Sequence, residues 1–373
     1  MQNFLLKILS IIFYITLIGC SSSRADERVS FFQYNGKRGV INEKREIIIP
    51  PEYDEIRYNG SYYVCISQGT DGNENYTVFS DKKKILYQGN TFVTPVSKKY
   101  FEVGTEYIVN VQKNKTMKTK RRYGFPRFLA NNDDCGCYAF DHGYYKKDFE
   151  TPAVIPENEW PYYMEVYPFR KNRALVYVDK NNKDNFQVIN AKGDVICSDI
   201  HASAGFYSEG LCAVKMEDGR TGFIDENGDF VFECPLFVHY WLEPGRTKPP
   251  LVAGLFSEGK AVVETAENQW AIYDKSGKKY DWPDGVQKAY NRSYEIHTDG
   301  EEFKSGLLLV VKKENGTRKY GYIDHECKVA IPCIFEQAFD FMNDYAIARL
   351  NGTDGVIDRE GNFYSAESIV NGK

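Results

Sequence analysis

Residues 206–233 read FYSEGLCAVKMEDGRTGFIDENGDFVFE. Three short apolar segments are set off by turns: Leu211 to Val214, then Gly222-Phe223-Ile224, then Phe230-Val231-Phe232. Asp225 ends the second segment, and Gly228 stands three positions after it. This is the chemistry of a three-residue hairpin loop. The Asp side chain accepts hydrogen bonds from backbone inside a type I turn, and the Gly takes positive φ to close a bulge. Gly210, following Ser208-Glu209, marks the entry to the first strand. One such unit is a three-stranded antiparallel meander, too small to stand alone.

The unit recurs at 255–282, 303–332 and 339–365, and in shorter form at 34–56, 75–87 and 184–198. Each copy has an anchor residue that ends a strand: Asn42, Ser80, Asn190, Asp225, Asp274, Asp324 and Asp358. Gly193, Gly228, Gly277 and Gly361 follow three positions later. Arg45, Lys83 and Cys327 hold that place in the other copies, and left-handed backbone there costs each roughly 1 kcal/mol against Gly. Pro50 and Pro332 are expected to end the third strand, since Pro cannot donate to a ladder. The gap from Ser80 to Asn190 has room for two degenerate units. Tyr138 to Asp141 and Val154 to Glu157 carry fragments of them. The stretch 112–137, with its basic run from Lys113 to Arg122, fits no unit.

The strings F-S-E-G-x-A-x-V and Y-G-x-I-D-x-x-x-x-x-x-I-P resemble the WG-repeat (KWG) proteins of bacteria over about residues 30–365. The name-giving Trp-Gly dipeptide itself does not occur. Its positions hold Arg38-Gly39, Tyr76-Thr77, Phe186-Gln187, Thr221-Gly222, Trp270-Ala271, Tyr320-Gly321 and Asp354-Gly355, which makes this a divergent member. The resemblance implies β-rich repeats, often on exported proteins, and no catalytic residues. The expected fold is all-β: a tandem array of about seven to eight meanders over residues 30–373, with an irregular insertion at about 112–165. A propeller-like ring is expected over an open β-superhelix, because closure removes exposed edges.

Composition agrees with this architecture. The chain has 373 residues with 30 Gly, 28 Tyr and 24 Phe, which suit turns and strands. A net charge of −5 argues against a nucleic-acid partner. The N-terminus reads as an address. Ile8 to Ile18 is uncharged and shorter than the ~20 residues that span a bilayer. It suits a secretory signal over residues 1–19. Leu17, Ile18, Gly19 and Cys20 resemble the lipobox of bacterial lipoprotein precursors. That resemblance implies membrane lipid attached through Cys20, a flexible tether over 20–29, and a place in the cell envelope, at the outer membrane of a diderm bacterium.

Searches for chemistry turn up little. Cys135-Gly136-Cys137 with His142 lacks metal-knuckle spacing. Asp225 to Asp229 has Phe230 where a calcium loop needs Gly, and reads as a turn. His201 and Ser203 lie close in sequence without a nucleophile elbow. No metal and no cofactor is expected. The aromatic clusters Trp160, Tyr162, Tyr163 and Tyr240, Trp241 are candidate ligand contacts, since loop aromatics stack on sugars or partners. The expected function is a non-catalytic, lipid-anchored scaffold that binds an envelope protein or glycan. The alternatives are a structural envelope component without a soluble ligand and a hydrolase with its site in 112–165.

Overall fold

The computed structural model describes residues 28–118 apart from 71, and 138–372 apart from 141–142, 146–162, 181–182, 241, 244–245, 248–249, 290, 293–297, 300–301 and 315. Within these the fold is all-β, with one short helix at Ala366–Val370. The strands form eight small antiparallel meanders, named here 1 (29–53), 2 (55–89), 3 (93–118), 4 (163–203), 5 (195–233), 6 (256–280), 7 (286–335) and 8 (337–365). Meanders 4 and 5 share the strand Val195–Ser203, which pairs with the preceding strand over its first part and with the following strand over its last.

The anchor turns form as the residue types dictate. Asp225 Oδ1 accepts the backbone N–H of Asn227 at 2.8 Å and of Asp229 at 3.0 Å. Asn42, Asn190, Asp274, Asp324 and Asp358 accept the same pair of amides in their own turns. Ser80, with one shorter arm, accepts from Lys84 alone. The third position after each anchor has positive φ whether or not it is Gly: 85° at Gly228, and 63°, 61° and 58° at Arg45, Lys83 and Cys327. The calcium-loop resemblance at Asp225 is thus a turn anchor.

One unit exceeds the sequence expectation. Val93–Ser97, Tyr100–Val103, Tyr107–Asn110 and Lys115–Lys118 form a regular four-stranded sheet. Residues 112–118 therefore complete meander 3. Its turn is anchored by Asn110, which accepts from the Lys113 amide at 2.8 Å, with Asn114 at φ 47° in place of a Gly.

Meanders 6 and 7 show how the sheets are covered on both faces. Ala261 and Val263 pack toward meander 5, while Val262 between them packs toward Leu308, Val310 and Ile323 of meander 7. Leu309, Val311 and Tyr322 then pack on Ala346, Ala348 and Ile357 of meander 8. Strands buried on both faces read as apolar runs, which is why Leu307 to Val311 lacks alternation. The series ends by meeting its beginning. Tyr345 and Val356 of meander 8 bury against Phe32 and Ile41 of meander 1, with Ala366 and Ile369 of the helix over them. Asn343 Nδ2 donates to the Val29 carbonyl at 2.7 Å, Ser30 Oγ donates to the Met342 carbonyl, and the Tyr345 hydroxyl donates to the Glu43 carbonyl at 3.0 Å. The arrangement is propeller-like.

The Gly of the Trp-Gly position has a steric cause. A β-bulge in the third strand brings its backbone against the middle strand at that point. A Cβ on Gly321 would lie 2.6 Å from the Ile331 carbonyl oxygen and 2.7 Å from Cys333 N. On Gly355, where the third strand pairs in regular register, it would still lie 2.2 Å from the Tyr364 carbonyl oxygen.

Three stability outcomes follow. Gly321→Ala costs about 2 kcal/mol or more in urea unfolding, because backbone must move. Phe32→Ala, at the fully buried junction of the chain ends, costs about 3–5 kcal/mol. Asp274 adds a pH effect. Burial works to raise its pKa, but hydrogen bonds from Ser276, Lys278 and Tyr280 hold it below the ordinary 3.8. A depressed carboxylate stabilises fully above its unfolded value and loses that contribution as pH falls through the folded one. Asp274→Asn keeps the Oδ1 acceptor, as Asn42 and Asn190 do, so it removes this part of the stability loss below about pH 4. Urea unfolding at pH 3 and pH 7 measures the difference.

Candidate functional site

The aromatic candidates are dispersed. Tyr240 is exposed, with its hydroxyl 2.7 Å from His201 Nε2, and the other ring nitrogen of His201 lies 3.5 Å from Glu217. Ser203 does not join His201. It is fully buried, and its Oγ accepts from Gly205 N at 3.2 Å. Tyr163 begins the strand Tyr163–Val166 of meander 4. Trp160, Tyr162 and Trp241 lie outside the described residues, as do Leu17, Ile18, Gly19, Cys20, Cys135, Cys137 and His142. Among the described residues no group of His, Cys, Asp and Glu is placed to hold a metal ion. Burial pushes the Cys65, Cys212 and Cys234 thiols up to about 12, so they stay protonated packing groups.

A concave site that the sequence did not single out lies between meanders 6 and 7. It is a cleft of about 500 Å³ that wraps round the short strand Val286–Lys288. Its walls are Trp270 and Trp282, and the Trp282 indole N–H donates to the Trp270 carbonyl at 2.8 Å, which fixes that ring. Lys288 Nζ lies 3.6 Å from the centre of the Trp270 ring, a cation–π contact on a largely buried ammonium.

Beyond that edge strand the lining passes to the opposite face of the hairpin Leu307–Glu314 with Thr317–Asp324, the face toward meander 8. Register sets what it presents. Val311 stands opposite Tyr320, and two positions further along the same face Lys313 stands opposite Arg318. The first pair is buried and forms an apolar floor, while the second is exposed and forms a cationic rim. Among the described residues neither Lys313 nor Arg318 has an ion-pair partner, whereas their neighbour Lys319 pairs with Glu336 at 2.6 Å. Asn268 and Gln287 add amide donors and acceptors, and no lining residue is acidic.

Two of these residues occupy Trp positions of successive repeats, Trp270 and Tyr320. The Asn315-Gly316 turn signal, followed by strict alternation, would have placed Lys313 across from Arg318. The position of the Trp270 wall depends on packing between two sheets, which no local pattern reports.

A second concavity, of about 560 Å³, lies between meanders 2 and 3, with Phe92 and Tyr107 partly exposed along it. Among the described residues no helix is long and apolar enough to cross a membrane.

No curated protein matches the sequence. Among solved structures, the chain is similar to the C-terminal WD40 domain of Sif2, with 12% identity, 53% of this chain and 64% of that chain covered, and TM-score 0.33. It is similar to the β-propeller domain of the Trilobed protease from Pyrococcus furiosus, with 13% identity, 83% and 96% coverage, and TM-score 0.37. It is also similar to acylaminoacyl peptidase from Pyrococcus horikoshii, at 12% identity and TM-score 0.37, where 82% of this chain spans half of that one. The family model described as WG containing repeat matches residues 39–64 and 320–353. Each match starts in the middle strand of one meander, at or beside its close-packed Gly, and runs into the next meander. The chain thus carries WG-containing repeats near both ends of its described fold.

Proposed function

We propose that this chain is a non-catalytic scaffold, held to a bacterial envelope membrane by lipid on Cys20, that binds an envelope glycan or protein. The observation that carries the binding part is the cleft between meanders 6 and 7. Trp270 and Trp282 stand there half-buried, with Lys288 stacked on the Trp270 ring, an amphipathic surface of the kind that stacks on a ligand. A rigid repeat array supplies what such a site needs: walls fixed by strands instead of loops. The anchoring part rests on the string Leu17-Ile18-Gly19-Cys20 and the uncharged stretch before it.

Two experiments test the two parts. Membrane fractionation with palmitate labelling is expected to find the chain labelled and sedimenting with membranes, and Cys20→Ser unlabelled and released. A Cys20→Ser protein that still takes up label overturns the anchor. For binding, a glycan array and a pull-down from envelope extract are run with the full chain and with Trp270→Ala. Retention is expected to fall at least about 10-fold in the variant, the effect of losing one stacked aromatic wall. Failure of both screens, or reproducible turnover lost on mutating an acidic pair, overturns the binding-scaffold reading.

A further inference from the structure

We infer that a lysine-rich end of meanders 2 and 3 is a second membrane contact, which lies on anionic phospholipid headgroups beside the lipid on Cys20. The inference rests on the anchoring part of the reading above and adds which face of the fold turns to the membrane.

The starting point is where the charges stand. Each meander has one end that carries its anchor turn. In meander 2 that end holds the turns at 59–61 and 81–84, and in meander 3 those at 98–99 and 111–114. Packing joins the two ends. Asn59 Nδ2 donates to the Ser97 carbonyl at 3.0 Å, the Tyr62 hydroxyl donates to the Tyr100 carbonyl at 2.9 Å, and the Lys98 side chain lies against Gly60. These turns carry Lys82 to Lys84, Lys98, Lys99 and Lys113, with Lys115 opposite the anchor Asn110. All of these lysines are exposed, and Asp81 is the one carboxylate among them. Among the described residues Lys82 to Lys84, Lys98, Lys113 and Lys115 form no ion pair. At the opposite end of the same meanders Asp54 pairs with Lys37 at 2.6 Å, Glu55 with Arg57, and Glu106 with Lys118 at 3.6 Å. The whole chain carries a net charge of −5, so the lysine end is a local asymmetry and not a general excess.

The residue type points to a surface and not to a pocket. All seven cations are Lys and none is Arg. A site for one phosphate or carboxylate favours the planar fork of Arg, whereas hydrated point charges on long stems suit a diffuse anionic layer.

The chain enters the described fold at this same end. Val29 stands opposite the anchor Asn42, as Tyr62 stands opposite Ser80 and Tyr100 opposite Asn110. Val29 packs with Tyr63 and Cys65 of meander 2, so the entry point adjoins the lysine-bearing turns. The chain from Cys20 to Val29 reaches at most about 30 Å even fully extended. Lipid on Cys20 therefore brings this end toward the bilayer. Acyl chains hold the protein at the surface, and the lysines orient it and strengthen attachment, each by several-fold.

The test uses the mature chain from Ser21, which keeps every described residue and carries no lipid. Vesicle co-sedimentation and Tm are the readouts. Vesicles with about 30% phosphatidylglycerol are expected to bind at least about 10-fold more tightly than vesicles of phosphatidylcholine alone. Raising salt from about 50 to about 500 mM is expected to weaken that binding several-fold. Combining Lys82→Gln, Lys83→Gln and Lys84→Gln is expected to lower affinity at least about 10-fold with Tm unchanged, since these side chains have no ion-pair partner to lose. Combining Thr70→Glu, Asn90→Glu and Thr105→Glu makes the same change in net charge at the opposite end, and is expected to keep affinity within about 2-fold. Equal binding to both vesicles, tighter binding to soluble polygalacturonate at equal charge concentration, full affinity in the Gln variant, or an equal loss in the opposite-end variant each overturns the inference. If vesicle binding fails while Cys20 takes up palmitate, this contact is lost and the lipid anchor stands. If palmitate labelling fails too, both are lost.

Discussion

A three- or four-stranded sheet of short strands cannot bury its own faces, and the remaining features of this fold follow from that constraint. The meanders here are apolar on both sides, as Ala261 and Val263 against one neighbour and Val262 against the other make plain. A sheet of this kind is stable only between two others. The first and last sheets would each leave an apolar face in water, and they cover one another: Phe32 and Ile41 meet Tyr345 and Val356. The short helix Ala366–Val370, capped by Ser365, closes the rim of that junction with Ala366 and Ile369.

Stacking of this sort demands close backbone approach, and the repeat meets the demand with two devices. The anchor turn forces positive φ three residues on. The fold tolerates Arg45, Lys83 and Cys327 there, at about 1 kcal/mol each, because the anchor side chain and the strand pairing over-determine the turn. The bulge beside the Trp-Gly position is less forgiving. At Gly39, Gly222, Gly321 and Gly355 a Cβ would fall within 3 Å of backbone from the third strand. The position holds Thr77, Gln187 and Ala271 in the other copies.

Local chemistry is what a sequence displays, so the turns and most of the units were legible in it. Asp225, Gly228 and their counterparts declare themselves by spacing, and even the non-Gly turn residues could be named. Meander 3 was not legible because its turn departs from the rule: Asn110 anchors a longer loop, and Asn114 takes the positive φ that Gly takes elsewhere. The steric role of Gly321 was hidden because it depends on a bulge ten residues further along the chain. The cleft was hidden for a similar reason, since Trp270 and Arg318 belong to different sheets. The aromatics that sequence alone picked out, such as Tyr240, were chosen for clustering along the chain, which says little about clustering in space.

The residue before the close-packed Gly shows how a repeat can acquire a site without losing its fold. The Gly is fixed by contact with backbone, but its predecessor is not. At that place stand Arg38, Thr221, Tyr320 and Asp354 before a Gly, and Tyr76, Phe186 and Trp270 before another residue, ranging from fully buried at Phe186 to half-buried at Arg38, Trp270 and Asp354. Folding needs only that it end a strand near the sheet junction. Its chemistry is therefore free to vary, and it stands where two neighbouring sheets diverge and leave a concave surface. Trp270 stands so at the junction of meanders 6 and 7, and Tyr320 at that of meanders 7 and 8. Cations from the same hairpin then add charge at no cost to the core, because Lys313 and Arg318 lie beyond the last buried pair, Val311 and Tyr320. On this view the missing Trp-Gly dipeptide reflects a division of labour: the Gly serves the stack where backbone comes close, and the Trp place is left free to vary.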